Sequence, residues 1–561
     1  MRLQGKKRYL FLAIIAIFCA SLPLFDVGIH TGHDFGFHLQ RIISMKNAIQ
    51  EGTFPIRVFK EAFGGYGYGA PLFYPYIFLY IPAFLYYLGI SLALSYKIFL
   101  IIMNIFTLAI AAYSFSYITR SKDIGFISAV LYELSVYRFS DIYTRASIGE
   151  CLALVFCPLV LCGMVLIKRG DIKKWWILAL GMTGVLQSHI LSFILIVVIC
   201  GIYGIMYLKD FLMSTKIIAI IKAAILTIAV NVWFLIPFLD AMKMPTYEGT
   251  SALWMTDATL GQIFDLSIDN TVGAESLTKN YSECIIKSPG MPIIIGCILF
   301  LFVLPNIRKK FVKECRECYF YLIGGAVALC MTTNIFPWKL VRKIHFLEKF
   351  FEKFQFLWRF NTLVLLLWCV IAASGYYFFF KKQTLQKNLV VTIVLVNCLY
   401  SLVFCNHYMR QSETLQYDTL ESAGYMDTLY FIKDNDIASR EELESNADNI
   451  EYSNYERENA KVSFYYEIKG DMQKNYYVDV PIAYYPGYEA RIDGQIVKNE
   501  CSTGGVVRVW LTQNEGTVSV QYVEKRVYKI ADFVSIISVI SFSIWKIGGI
   551  IRKKRIEETE T

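Results

Sequence analysis

Charge is scarce in this chain. Asp, Glu, Lys and Arg make up 18% of its 561 residues against 56% hydrophobic ones, and the mean hydropathy is +0.45. That balance excludes a soluble enzyme of this size and implies a polytopic membrane protein. A disulfide framework is also missing. The 14 cysteines are scattered, mostly in apolar runs such as those holding Cys157, Cys200, Cys330 and Cys369, where a thiol packs as a small hydrophobe. The one Cys-x-x-Cys, Cys315 to Cys318, stands alone in a basic loop and does not suffice for a zinc site. No small-residue cleavage site follows the apolar run from Tyr9 to Phe25, so this run reads as a retained first helix with its amino terminus inside. No internal repeat of the kind common in transporters is evident.

Present in abundance are apolar runs and aromatic rings. The 38 Tyr and 41 Phe suit a protein with much surface at membrane interfaces. Runs at Tyr96 to Ile118, Ile148 to Ile167, Ile217 to Leu239, Cys318 to Ile335, Asn361 to Phe380, Leu389 to Cys405 and Ile530 to Ile551 are long enough to span. Trp175 to Leu208 fits two short helices turning at Gln187, Ser188 and His189, and Ile124 to Tyr137 and Met291 to Leu304 are shorter candidates. With the first helix these make twelve.

Basic clusters at Arg120/Lys122, Lys168/Arg169/Lys173/Lys174, Arg308/Lys309/Lys310, Lys381/Lys382 and Arg552 to Arg555 flank helices on one side, which marks the cytosol. The opposite side then receives Asp34, Tyr137 to Ser147, His189, the loop over 240–288, Phe336 to Trp358 and Asn406 to Arg526. Parity requires that Leu72 to Ile90 not cross; Pro71, Pro75, Pro82 and seven tyrosines between Tyr66 and Tyr87 suit a segment lying in the interface.

Between the last two helices, His407 to Arg526 carries 21 acidic and 12 basic residues. Alternation at Lys461 to Glu467, Tyr476 to Ala483, Gly505 to Leu511 and Gly516 to Val523, with turn signals at Pro486-Gly487 and Asp493-Gly494, predicts a β-sandwich-like domain. Lys433 to Glu458, rich in acids and Asn, reads as a solvated lead-in. The expected domains are residues 1–405, a membrane domain with a long first outer loop over 26–94; 406–526, an extracytoplasmic β domain; and 527–561, a final membrane helix with a basic cytosolic tail.

Chemistry-bearing residues collect at the outer helix mouths. A helix over His33 to Arg41 puts Asp34, His38 and Arg41 on one face, joining a carboxylate to a phosphate-binding cation. Asp141, Tyr143, Arg145 and Glu150 follow, then Gln187-Ser188-His189, then Gln355, Trp358 and Arg359; all six histidines lie on this side. Each alone is accounted for by an interfacial side chain reaching headgroups. Together they suit a site handling a phosphate ester.

These motifs resemble those of the bacterial YfhO-type and 6-pyruvoyl-tetrahydropterin synthase-related membrane protein families. The resemblance rests on Asp34, His38 and Arg41, then Gly52, Pro55, Gly67-Tyr68 and Pro71 to Pro75, on Asp141 to Arg145 with Gly149-Glu150, on Ser188-His189, on Trp233 with Pro237-Phe238, on Gln355 to Phe360, and on Tyr485 to Tyr488 with Ile492 to Gly494. Leu357 departs from the proline expected there. These families look like C-type glycosyltransferases, so the resemblance implies a sugar moved from a polyprenyl-phosphate donor to a glycan, teichoic-acid or glycolipid acceptor of the cell envelope, at the outer face of a bacterial cytoplasmic membrane. It implies Asp34 as the base that makes the transfer inverting, with His38 and Asp141 beside it. Arg41, Tyr143, Arg145, Glu150, His189, Gln355, Trp358 and Arg359 would bind substrate. Asp34 and Asp141 are the pair at which a divalent metal would sit, though the resemblance requires none; membrane lipids are partners and nucleic acid is not. The competing readings are a lipid-linked glycan transporter or polymerase, and a non-catalytic envelope scaffold.

Overall fold

The computed structural model describes residues 2–244, 247, 258–264, 287–310, 312–380, 388–412, 414–416, 420, 422, 424–433, 442–470 and 475–559. Most of the expected loop over 240–288, together with Lys381 and Lys382, lies outside the described residues.

Each of the twelve apolar runs falls on a helix: Arg2–Ala20, Leu92–Thr119, Lys122–Glu133, Ile148–Lys168, Trp175–Leu186, Ile190–Met206, Ser214–Ala241, Met291–Lys310, Val312–Met331, Asn361–Phe380, Leu389–Gln411 and Arg526–Thr559. Six stretches are long and apolar enough to cross a membrane: Leu92–Thr119, Ile148–Lys168, Ser214–Ala241, Leu357–Phe380, Leu389–Arg410 and Arg526–Gly549. Eighteen helical residues at about 1.5 Å each match the thickness of a hydrocarbon core. Ile190–Met206, Met291–Ile307 and Glu317–Met331 are shorter apolar helices. Capping explains several starts: the Ser91 and Ser121 hydroxyls accept from the backbone N–H of Leu94 and Ile124, and the His189 ring accepts from that of Ser192. The 72–90 run is broken into Ala70–Phe73, Ile77–Leu79 and Tyr80–Tyr87. Its longest piece, eight residues, reaches about 12 Å, too short to span.

The chain forms two compact units. The first comprises Met1–Ile43, Ile77–Ala224 and Ala252–Tyr425. Its Ile148–Lys168 helix is the most enclosed of the candidate spans. A two-stranded ladder, β1 (Ile29–His30) with β2 (Thr414–Leu415), also belongs to it.

The second unit comprises Ser44–Tyr76, Ile225–Ser251 and Met426–Thr561. Part of the first loop therefore packs with the β-rich region, a grouping that chain order conceals. Its strands are β3 (Glu444–Ser445), β4 (Ile450–Glu458), β5 (Lys461–Ile468), β6 (Tyr477–Ala483), β7 (Tyr488–Ile492), β8 (Gln495–Val497), β9 (Asn499–Cys501), β10 (Val506–Trp510) and β11 (Glu515–Tyr522). They make two antiparallel sheets, ordered β3-β6-β10-β9 and β4-β5-β11-β7-β8. Alternation sets the register: Val462, Phe464, Tyr466 and Ile468 of β5 are buried, and Val518 and Val520 of β11 lie opposite Phe464 and Val462. Asp493 and Gly494 both take positive φ in the two-residue β7–β8 turn, as an Asp-Gly hairpin requires. One expectation fails here. Residues 450–458 are not a solvated lead-in but the nine-residue strand β4 on β5. Its mostly exposed polar side chains make a charged edge strand, a composition that also reads as loop.

Within this unit Gly69 approaches Tyr485 so closely that a Cβ would lie 2.4 Å from the ring. Arg57, 5% exposed, donates from Nε to Glu524 at 2.8 Å, from Nη2 to Asp532 at 2.7 Å and from Nη1 to the Trp233 carbonyl at 2.9 Å. It therefore ties the first-loop segment to two helices. Arg57→Ala leaves two carboxylates without their cation and is expected to cost about 3 kcal/mol. Thermal unfolding in detergent checks this: an unchanged midpoint means that Arg57 is not a tie.

Candidate functional site

All eleven sequence-predicted site residues lie in the first unit. The site is built on the segment from Val136 to Ser147, a short helix (Val136–Phe139) running into a wider turn over Ser140–Thr144. Here the Thr144 and Arg145 carbonyls accept the backbone N–H groups of His33 at 3.1 Å and Asp34 at 2.8 Å. Gly32 permits the approach, since a Cβ there would meet the Tyr143 carbonyl at 2.5 Å. Asp34 is thus fixed through its backbone immediately before the Phe35–Gln50 helix.

Its side chain is not fixed in the same way. Among the described residues no hydrogen bond or ion pair reaches the Asp34 carboxylate, which nonetheless feels the charges of Arg145, Glu150 and Arg359. Burial pushes its carboxyl above the usual 3.8, opposed by the two arginines and reinforced by Glu150.

Beside it is an ion-pair cluster. Glu150 accepts from Arg145 Nη1 and Nη2, both at 2.9 Å, and from Arg359 Nε at 2.7 Å. Arg145 Nη1 also reaches Asp141 Oδ1 at 2.6 Å, and Arg359 Nη1 reaches the Phe354 carbonyl at 2.8 Å and Gln355 Oε1 at 2.9 Å. Arg359 Nη2 engages no described residue. Burial raises Asp141 to about 7, overriding Arg145. Glu150 thus meets both guanidiniums, and burial disfavours the charged form of the neighbouring Asp141 and Asp34 carboxyls.

Burial favours the neutral form of the histidines at the site. Burial, then Arg359, lowers His189 to about 3, and burial, then Arg41, holds His38 well below the usual range. His38 Nδ1 is 3.3 Å from Arg41 Nη1, so these two of the three expected residues meet, while Asp34 precedes the helix; both side chains are buried. His189 Nδ1 meets Ser192 Oγ at 2.9 Å.

Tyr143 turns away from this cluster: its hydroxyl donates to the Ala20 carbonyl and its ring packs on Phe139 and Tyr408. Trp358 is fully buried, stacked 4.2 Å from Phe356, with the Arg145 guanidinium 5.5 Å from its ring. Leu357 starts a tight turn, Leu357–Phe360, that runs directly into the next helix, so the missing proline does not displace Arg359.

Three participants went unnoticed in the sequence. His33 feels Arg145 and is lowered to about 4 by burial; its place beside Asp34 was the available signal. Lys287, buried, lies 5.9 Å from the Trp358 ring, and nothing in its sequence context marks it. Arg138, fully buried, pairs with Glu133 at 3.0 Å and donates to Asn104 at 2.8 Å and Thr107 at 3.1 Å, bracing the segment that carries Asp141. Among the described residues no three His, Cys, Asp or Glu side chains form a metal-holding group. Of the Asp34/Asp141 pair, Asp141 holds Arg145 through Oδ1, while its buried Oδ2 meets no hydrogen-bond partner among the described residues.

No protein-family profile matches the chain. It is similar to a protein of Lactococcus lactis subsp. cremoris (strain MG1363) described only as an uncharacterized protein, with 24% identity over 355 residues, covering 60% of this chain. The match spans 56% of that relative's length.

Proposed function

We propose that the protein is a C-type membrane glycosyltransferase that takes a sugar from a polyprenyl-phosphate donor and passes it to a hydroxyl of a cell-envelope acceptor. The observation that carries the proposal is the Asp34 carboxylate, free of described hydrogen bonds beside the Arg145–Glu150–Arg359 cluster. Asp34 takes the proton of the acceptor hydroxyl, the acceptor oxygen bonds to the anomeric carbon, and the bond to phosphate breaks. The departing phosphate oxygens gain negative charge where Arg359 Nη2 has a donor to offer and Arg145 adds its charge. Direct displacement inverts the anomeric centre. His189 and His38, neutral, orient rather than transfer protons.

In this proposal all twelve helices span, both termini are cytosolic, and the site and the β-rich unit face outward across the cytoplasmic membrane. The charge bias of the loops supports this arrangement. Two measurements test it. Purified protein in proteoliposomes should move labelled sugar from a polyprenyl-phosphate donor to an envelope-glycan acceptor. In a cysteine-free background, single cysteines near Asp34, Asp141, His189 and Arg359 should react with an impermeant reagent from the outside. Labelling of Asp34 and Asp141 from opposite sides would sink both topology and site. Donor binding without transfer, across a panel of acceptors, would favour the transporter.

A further inference from the structure

The stretch from Asn334 to Lys353 displays a surface of a kind that no part of the proposed chemistry uses. It joins the apolar helix Glu317–Met331 to the candidate membrane span starting at Leu357, so its carboxyl end lies within a few residues of that span. It contains two short helices, Trp338–Val341 and His345–Glu352. One face is anchored: Trp338 packs 5.3 Å from Phe351 and 6.3 Å from Phe360, and Phe354 lies 5.7 Å from Phe360. The other face is bare. Ile335, Leu340, Ile344 and Phe346 are 56%, 60%, 54% and 75% exposed, and Lys339, Arg342, Lys343, Lys349 and Lys353 are exposed among them. Between Pro337 and Lys353 there are five Lys or Arg against Glu348 and Glu352.

Isolated exposed apolar residues need no explanation, but four of them together outside any span, ringed by cations, do. Water solvates such a surface poorly. An anionic leaflet satisfies both parts at once: the apolar side chains enter the headgroup boundary and the cations meet lipid phosphates. We propose that residues 334–353 form an interfacial hook that docks into the anionic lipid surface beside the site. Its inner end bears on the chemistry directly, because the Phe354 carbonyl and Gln355 Oε1 hold Arg359 Nη1. A docked hook therefore sets Arg359 at the level of lipid phosphates, where a lipid-linked donor presents its own.

The docking claim stands without the transferase reading; the consequence for the donor rests on it. Phe346→Cys, labelled with an environment-sensitive dye in the full-length protein, is reconstituted in nanodiscs of zwitterionic lipid with and without a third of anionic phosphatidylglycerol. The expected result is a blue-shifted emission, quenched by headgroup-level nitroxide lipid and stronger in the anionic bilayer. Water-like emission without quenching in both bilayers overturns the hook. A blue shift that persists without nitroxide quenching overturns it too, since the dye would then be buried in protein. Replacing Lys339, Lys343 and Lys349 by Glu should raise the KM for a polyprenyl-phosphate-sugar donor roughly tenfold and leave kcat near wild type. Dye docking with an unchanged KM would retain the hook and remove its role in donor capture. The absence of transfer by any variant, wild type included, would count against the transferase reading alone.

Discussion

Asp34→Asn is expected to lower turnover by roughly 10² to 10⁴ while donor affinity changes little, the signature of a lost general base. Asparagine keeps the shape, and because no described hydrogen bond uses the carboxylate, little structure is lost with the charge. The backbone contact from Asp34 N–H to the Arg145 carbonyl survives the substitution. Burial also sets a pH signature. A base must be deprotonated, and burial raises the Asp34 carboxyl above 3.8, so wild-type kcat/KM should fall as pH drops through an inflection above the ordinary carboxylate range. The residual activity of the asparagine variant should lack that inflection. Transfer at the wild-type rate by purified, folded Asp34→Asn protein would end the enzyme reading in this form.

How far the sequence revealed the site depends on which interactions are local. Asp34, His38 and Arg41 share a helical face by spacing alone, and Arg41 does meet His38. Arg145 and Glu150 are five residues apart and form the forked pair. That Arg359 closes on the same Glu150 from 209 residues away is not written in any local pattern. Nor is the use of the arginines: the sequence presents them as phosphate ligands, whereas folding first pairs both with a carboxylate. Tyr143 was read as a ligand because it stands between Asp141 and Arg145, but the wider turn over Ser140–Thr144 sends it towards Ala20. In the β-rich region the buried strands alternate and were legible. The edge strand β4 buries little, so its pattern carries no period-two signal. Each of the twelve apolar runs lies on a helix, yet among the described residues only six stretches have both the length and the apolarity to cross by themselves. Trp175–Leu186, at 12 residues, falls short of a bilayer's thickness, so an apolar run in the sequence does not by itself make a span.

The other large effect falls on Glu150, because two guanidiniums depend on it. Glu150→Gln keeps the volume but replaces one acceptor oxygen by an amide NH₂, which cannot accept: at Oε1 the loss falls on Arg359 Nε and Arg145 Nη2, at Oε2 on Arg145 Nη1 and the Tyr137 hydroxyl. It also removes the charge between two buried cations. Breaking a buried ion pair from one side costs about 3 to 5 kcal/mol, so the variant should unfold at clearly lower temperature than wild type. The same loss ought to open the arginines to a ligand. If they serve a leaving phosphate, adding polyprenyl phosphate should stabilise Glu150→Gln more than wild type, since the incoming anion takes the place of the missing carboxylate and stabilises the folded state by mass action. Thermal unfolding of both proteins across a titration of that lipid gives the comparison. A variant that is destabilised and gains nothing from the phosphate would show that Arg145 and Arg359 serve the fold alone and that the leaving group is received elsewhere.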